Sequence, residues 1–349
     1  MKNIFIYISL AVLSVLFYGC SFSFGNKYQR YADFPVKKNL VLSEDIYCGS
    51  IFLRYPYRIE IKDSLAVILD LHPDSCFLHA FTYPEWQYII SFGKRGEGPE
   101  EILSAERVRI CSTDSVWVLD SNRCQITRWR LSNNKAERVE EILLDDHLIR
   151  TLDFCKTDEG FLVTDYTGNY RYHVLDQRGQ IKQSVGGIPS EKYTDDFGKA
   201  VLAQAWRSFM DYNHKNGMLA IVTQLGEVIE IFNLKSGEHK VCYGPCGEPV
   251  FSELGSESMP KGIKGFNDVV VSDSCIYTVF DGTPFNERIN AFYSGNAISE
   301  GGDYIYVFDF EGIPLSKTKL FYSAFGLAVL EKSLFTTSTD SNIPLHVYQ

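Results

Sequence analysis

Basic charge is in short supply in this chain. Lysine and arginine total 34 against 44 aspartates and glutamates, a formal net charge of −10 over 349 residues. That balance excludes the basic face on which non-specific nucleic-acid binding depends. No basic run exceeds two residues, as at Lys37-Lys38, so a polybasic membrane patch is excluded as well. Catalytic signatures are also missing: there is no His-Glu-x-x-His, no Gly-x-Ser-x-Gly and no EF-hand loop. The seven histidines are scattered, and His72 and His79 share no ligand pattern. No second Cys pair or His pair has the spacing of a zinc site.

What is present begins with an address. Lys2 supplies a sparse positive start, Ile4 to Tyr18 is apolar apart from Ser9 and Ser14, and Gly19-Cys20 follows. The run is short for a membrane span and has the length of a secretory core. Ending on Gly-Cys, it resembles a bacterial lipoprotein signal, which implies removal of residues 1–19 and acylation of Cys20. Phe17 and Tyr18 replace the small residues usual there, and an uncleaved anchor or ordinary signal peptide is the alternative. Acyl chains on Cys20 would hold the protein to a membrane, with residues 20–37 as a tether.

A pattern then repeats six times: an apolar stretch, a small turn, a second apolar stretch. The turns are Asp63-Ser64, Asp114-Ser115, Glu159-Gly160, Asn216-Gly217, Asp273-Ser274 and Lys332-Ser333. Intervals of roughly 45 to 60 residues match a four-stranded propeller blade. Residues 104–143 show the unit clearly, with strands at Val108–Cys111, Val116–Leu119, Ile126–Trp129 and Arg138–Leu143. The order strand, Asp-Ser turn, strand-Asp, x-Asn-Arg, strand resembles the NHL repeat of six-bladed propellers. The sixth copy lacks an outer strand, and Lys38-Asn-Leu-Val-Leu42 can supply it, removing an exposed edge. The expected fold is all-β, a single six-bladed propeller of four-stranded antiparallel blades over residues 38–349.

The exit of the first blade, Ser91-Phe-Gly-Lys-Arg-Gly-Glu-Gly-Pro-Glu-Glu101, resembles the Phe-Gly-x-x-Gly-x-Gly-Pro-x-Glu linker of TolB-like and NHL-like six-bladed propeller lipoproteins of Bacteroidetes. The resemblance covers nearly the whole chain and implies a lipid-anchored envelope protein, on the outer membrane facing the periplasm. It implies no activity. The linker lacks the following Lys-Ser/Thr and helix of a phosphate loop, so its glycines are expected at positive φ in a blade crossing.

Eight cysteines remain after Cys20. Cys111 and Cys155 hold equivalent places in neighbouring blades, Cys76 and Cys275 lie at strand edges, and only Cys242 and Cys246 could close a small disulfide loop. Two insertions interrupt the repeat, a polar, helical stretch at 188–204 and a longer loop at 281–302.

Strand-two-to-three loops and blade-crossing loops should share one face. Asp70, Asp120, Asp165 and Asp281 would ring the channel mouth there, with Glu97, Asn122, Arg123, Arg171 and Arg288 beside them. A carboxylate ring can hold a divalent cation such as Ca²⁺ on the channel axis; Arg, Asn and aromatic groups can instead grip a sugar or peptide. The alternative is that each Asp caps its own turn. Two functions follow: a non-enzymatic module binding a glycan, peptide or envelope protein, or a metal-dependent hydrolase or lyase of the six-bladed lactonase or NHL-lyase type.

Overall fold

A computed structural model describes residues 26–349 apart from 50, 113, 193–197, 252–259, 297 and 341. The leader and Cys20 lie outside the described residues. Six sheets form, one per repeat. Blade one comprises Pro56–Lys62, Leu65–Asp70, Cys76–Thr82 and Tyr88–Lys94; blade two Ala105–Ser112, Ser115–Asp120, Gln125–Ser132 and Lys135–Leu143. Blade three is Phe154–Lys156, Gly160–Thr164, Tyr172–Asp176 and Ile181–Val185; blade four Ser208–Asn213, Met218–Thr223, Val228–Asn233 and Glu238–Tyr243. Blade five is Phe266–Val271, Ile276–Phe280, Gly302–Phe308 and Pro314–Ala324, and blade six Leu327–Leu330, Ser333–Thr337 and Leu345–Tyr348. The first strand of each blade touches the first strands of both neighbours, so the ring closes around a central axis.

The second strands explain the apolar runs of the sequence. Leu65–Asp70 and Met218–Thr223 are buried at every residue, because each sheet is covered on both faces by the adjoining blades. The first strands alternate instead. Arg58 and Glu60, or Arg107 and Arg109, are two residues apart and therefore point to the same side of the strand, here toward the axis.

Closure differs in register from the expectation. Leu42–Ile46, not Lys38–Leu42, completes blade six, pairing antiparallel with Leu345–Tyr348. Chain before residue 38, expected as tether, is already paired: Asn26–Arg30 adds a parallel fifth strand to blade four, and Val36–Asn39 one to blade five. Between them Tyr31 and Phe34 are buried and pack against Tyr306 and Phe308. That burial is what recruits the segment into the fold.

Both insertions carry short helices, Lys199–Ala205 before blade four and Phe285–Tyr293 between the second and third strands of blade five. No helix among the described residues is long and apolar enough to cross a membrane. All eight cysteines after Cys20 are free thiols, and no disulfide joins Cys242 to Cys246.

Candidate functional site

Second strands end, and first strands begin, on the same face, so the expected loops do gather at one mouth of the axis. The strand-end aspartates lie there but are buried, and their oxygens are engaged. Asp70 accepts hydrogen bonds from the amides of Arg54 at 2.7 Å, Tyr55 at 2.8 Å and His72 at 3.2 Å. Asp120 accepts from Leu103 at 2.7 Å and from Ser104, Asn122 and Arg123 at 3.2 Å each. In both blades the carboxylate ties its own turn to the strand-one approach, which is the turn-capping role. Asp165 accepts from the amides of Thr167, Asn169 and Tyr170, and His173 Nε2 lies 3.0 Å away. Burial alone would raise its pKa; His173 and these amides outweigh that and hold the carboxyl well below its usual range. Asp281 accepts from Thr283 N at 2.8 Å and pairs with Arg288. Burial nevertheless raises its pKa against the pull of Thr283, Lys264 and Arg288.

The arginines expected beside them divide. Arg171 is buried between blades three and four, donating to Glu230 at 2.6 Å, Trp206 O at 2.9 Å and Ser208 Oγ at 2.7 Å. Arg123 donates to the carbonyls of Glu97 and Gly98, both at 2.9 Å, and so fastens the linker to blade two. The side chains of Glu97 and Asn122 stand exposed at the loop tips. Within the linker, Gly93 has the expected positive φ, +68°. Gly96 and Gly98, against expectation, do not have positive φ; at Gly96 the constraint is space, since a Cβ there would meet at 1.9 Å the Glu101 carboxylate that Lys94 and the Gly98 amide hold.

The axis itself is filled by charges that the blade pattern left unassigned. Arg107 lies 2.7 Å from Asp268 and 3.2 Å from Asp153. Arg109 reaches Asp211 at 2.7 Å, Glu60 at 3.1 Å and Asp153 at 3.3 Å. Asp153, Asp211 and Asp268 also accept the amides of Met210, Val271 and Leu327, each on the following blade. These carboxylates are matched by guanidinium groups, a donor set poorly suited to a cation. Among the described residues, one group of three ligand-type side chains converges, Asp145, Asp146 and His147, just past the outer strand of blade two.

Beyond this network the hairpin-side mouth opens into a cavity of about 600 Å³ lined by Trp117, Lys156, Arg128, Cys111, Cys155 and Asp158, among others. Its strong groups are largely committed: Arg128 pairs with Glu140 at 2.8 Å, and Lys156 donates to the carbonyls of Thr157 and Gly160. At the crossing-loop mouth the situation is reversed. Arg150 touches Glu106 at 3.3 Å, but among the described residues its buried Nε has no partner, and neither has that of Arg207. The signal for both mouths was in the sequence, as charged residues in or just before the first strands, where apolar residues alone would have served packing.

Comparison with known proteins agrees with this architecture. Residues 30–332 match the family described as TolB-like 6-blade propeller-like. A member of the DUF4221 family from Bacteroides vulgatus superposes with a TM-score of 0.56 at 10% identity, over 89% of this chain and 96% of its own. A protein from Bacteroides fragilis assigned as exported gives 0.58 at 9% identity, over 93% and 98%. A streptogramin B lyase gives 0.50 at 13% identity, over 89% and 87%. At such identities the likeness is one of fold. No curated protein matches the sequence.

Proposed function

This chain belongs to the TolB-like six-bladed propeller family, and from that premise we propose that it is a lipid-anchored envelope protein that binds a glycan, peptide or protein partner without chemistry of its own. The partner meets the face formed by the crossing loops, with Glu97, Asn122, Arg123 and the 281–302 insertion at its rim. Cys20 is the anchor, and the protein hangs from the outer membrane into the periplasm. The leader pattern supports the anchoring, and the exported relative from Bacteroides fragilis fits it.

One observation carries the binding role. The strand-end carboxylates are spent on pinning loops: Asp70 and Asp120 together accept seven backbone amides. A hydrolase of the lactonase type would need such carboxylates turned toward a shared ion or water. Here they make a rigid platform from which polar loop tips project, which lowers the ordering cost of recognition.

Cross-linking in intact cells followed by mass spectrometry tests this reading. Cross-links should concentrate on the crossing loops and the 281–302 insertion. Links confined to the opposite mouth, around Lys156, would dismiss the proposed face. For the anchor, Cys20→Ser should move the protein out of the membrane fraction or leave its precursor uncleaved; unchanged mass and retention would refute acylation.

A further inference from the structure

We propose that the crossing-loop mouth is an oxyanion site, in which Arg207, flanked by Arg150, Lys264, Tyr57 and Tyr166, receives a carboxylate or phosphate group of the ligand. The inference rests on the binding face proposed above and names the chemistry it recognises.

Arg207 stands immediately before the first strand of blade four, at the rim of the axis. Among the described residues its guanidinium makes no hydrogen bond or ion pair, and its Nε is buried without a partner. A half-buried guanidinium without a counter-charge costs stability, since burial disfavours the charged form and nothing local repays it. Burial lowers its pKa most; Tyr166 and Tyr57 act in the opposite direction, and the like charge of Arg150 adds to the lowering. Burial pushes the Tyr57 phenol up to about 12, so it keeps its proton and remains a donor. Lys264 is brought down to about 8 by burial and by Arg288 and Arg207, against the attraction of Asp281 and Glu300.

The ion pairs at this mouth go to other cations: Arg150 is paired with Glu106 and Arg288 with Asp281, to which Lys264 also lies at 3.8 Å. Arg207 is left over. A guanidinium fork with unused donors binds a planar carboxylate or a phosphate through two parallel hydrogen bonds. Adjacent phenol hydroxyls can add neutral donors. A protein that binds nothing here would be more stable with an apolar residue at 207; retaining the arginine is the usual compromise of a binding site.

The test uses the mature protein, titrated by calorimetry and thermal melting with inorganic phosphate and, separately, with glucuronate, up to on the order of 10 mM. At least one anion should raise Tm and give saturable heat. Arg207→Ala should lower affinity by roughly tenfold or more while leaving the anion-free Tm equal or higher, and Arg207→Lys should retain part of the binding. Preference for phosphate over glucuronate, or the reverse, identifies the source of the oxyanion. No binding of either anion, or equal binding by wild type and Arg207→Ala, would overturn the proposal. Either failure would leave cross-links on the crossing loops untouched, so it is distinguishable from failure of the binding face itself.

Discussion

Asp120 and Asn122 are two residues apart and do opposite work. Asp120 is buried and serves four amides, whereas the Asn122 side chain projects into solvent. Asp120→Ala should therefore cost about 2 to 3 kcal/mol in urea unfolding, because buried amides lose their acceptor, while Asn122→Ala should stay within about 0.5 kcal/mol. A loss at Asp120 no larger than at Asn122 would mean water replaces the carboxylate. Asp165 carries a pH signature. Its folded pKa is depressed by His173 and the loop amides despite burial. The stability it confers is complete above the ordinary carboxylate pKa near 4 and fades as pH falls through the lower folded value. Melting between pH 5 and 3 should show Asp165→Asn losing less stability than the wild type; parallel curves would remove Asp165 from the acid response. That strand-end aspartates recur was legible in the sequence, because turn chemistry is local. That Arg171 is a buried tie to Glu230 was not, since the contact joins residues 59 positions apart in neighbouring blades. Arg207 was invisible for the same reason: its importance lies in lacking a partner, which only the assembled ring defines.

At the scale of elements, turn positions and blade period read well from the sequence, while the closing strand was displaced by four residues. Lys38–Leu42 is the more apolar segment and attracts a strand assignment. The observed strand, Leu42–Ile46, contains Glu44 and Asp45, as suits an outer strand that faces solvent. Its pairing is set by partners elsewhere in sequence: Ser43 Oγ donates to Val347 O at 3.0 Å, and His346 Nδ1 lies 2.6 Å from Asp45. The strands Asn26–Arg30 and Val36–Asn39 were unreadable as strands because fifth strands fall outside the repeat. They imply that the N-terminus of the folded unit precedes residue 38. A chain starting at residue 47 loses the edge cover of blade six together with the fifth strands of blades four and five and should elute as aggregate on size exclusion, whereas one starting at 26 should elute as the full protein does. Equal behaviour of the two would show the ring closing without its N-terminal strands.

Six sheets must hold one ring although strand packing joins each blade mainly to its two neighbours. Apolar clusters between adjacent blades supply most of the adhesion, as where Val67 and Leu69 of blade one meet Val108, Val116 and Val118 of blade two. Such contacts are interchangeable in kind and do not by themselves fix the number of blades. The axial charges connect blades that are not adjacent. From blade two, Arg109 reaches Glu60 on blade one, Phe154 O on blade three at 2.9 Å, and both Met210 O and Asp211 on blade four. Removing one partner from such a buried set leaves the others charged and unmatched, at a typical cost of about 3 to 5 kcal/mol. Arg109→Ala should accordingly destabilise the whole ring by that amount in urea, within a single transition, because every blade it touches is loosened together. Adding Glu60→Gln and Asp211→Asn to Arg109→Ala should recover part of the loss by discharging the stranded carboxylates. If the single substitution costs less than about 1 kcal/mol, the network behaves as a solvated surface cluster, and the ring is held by blade-to-blade packing alone. If the triple variant is no better than the single, the damage lies in the lost tethers to Phe154 and Met210 rather than in uncompensated charge.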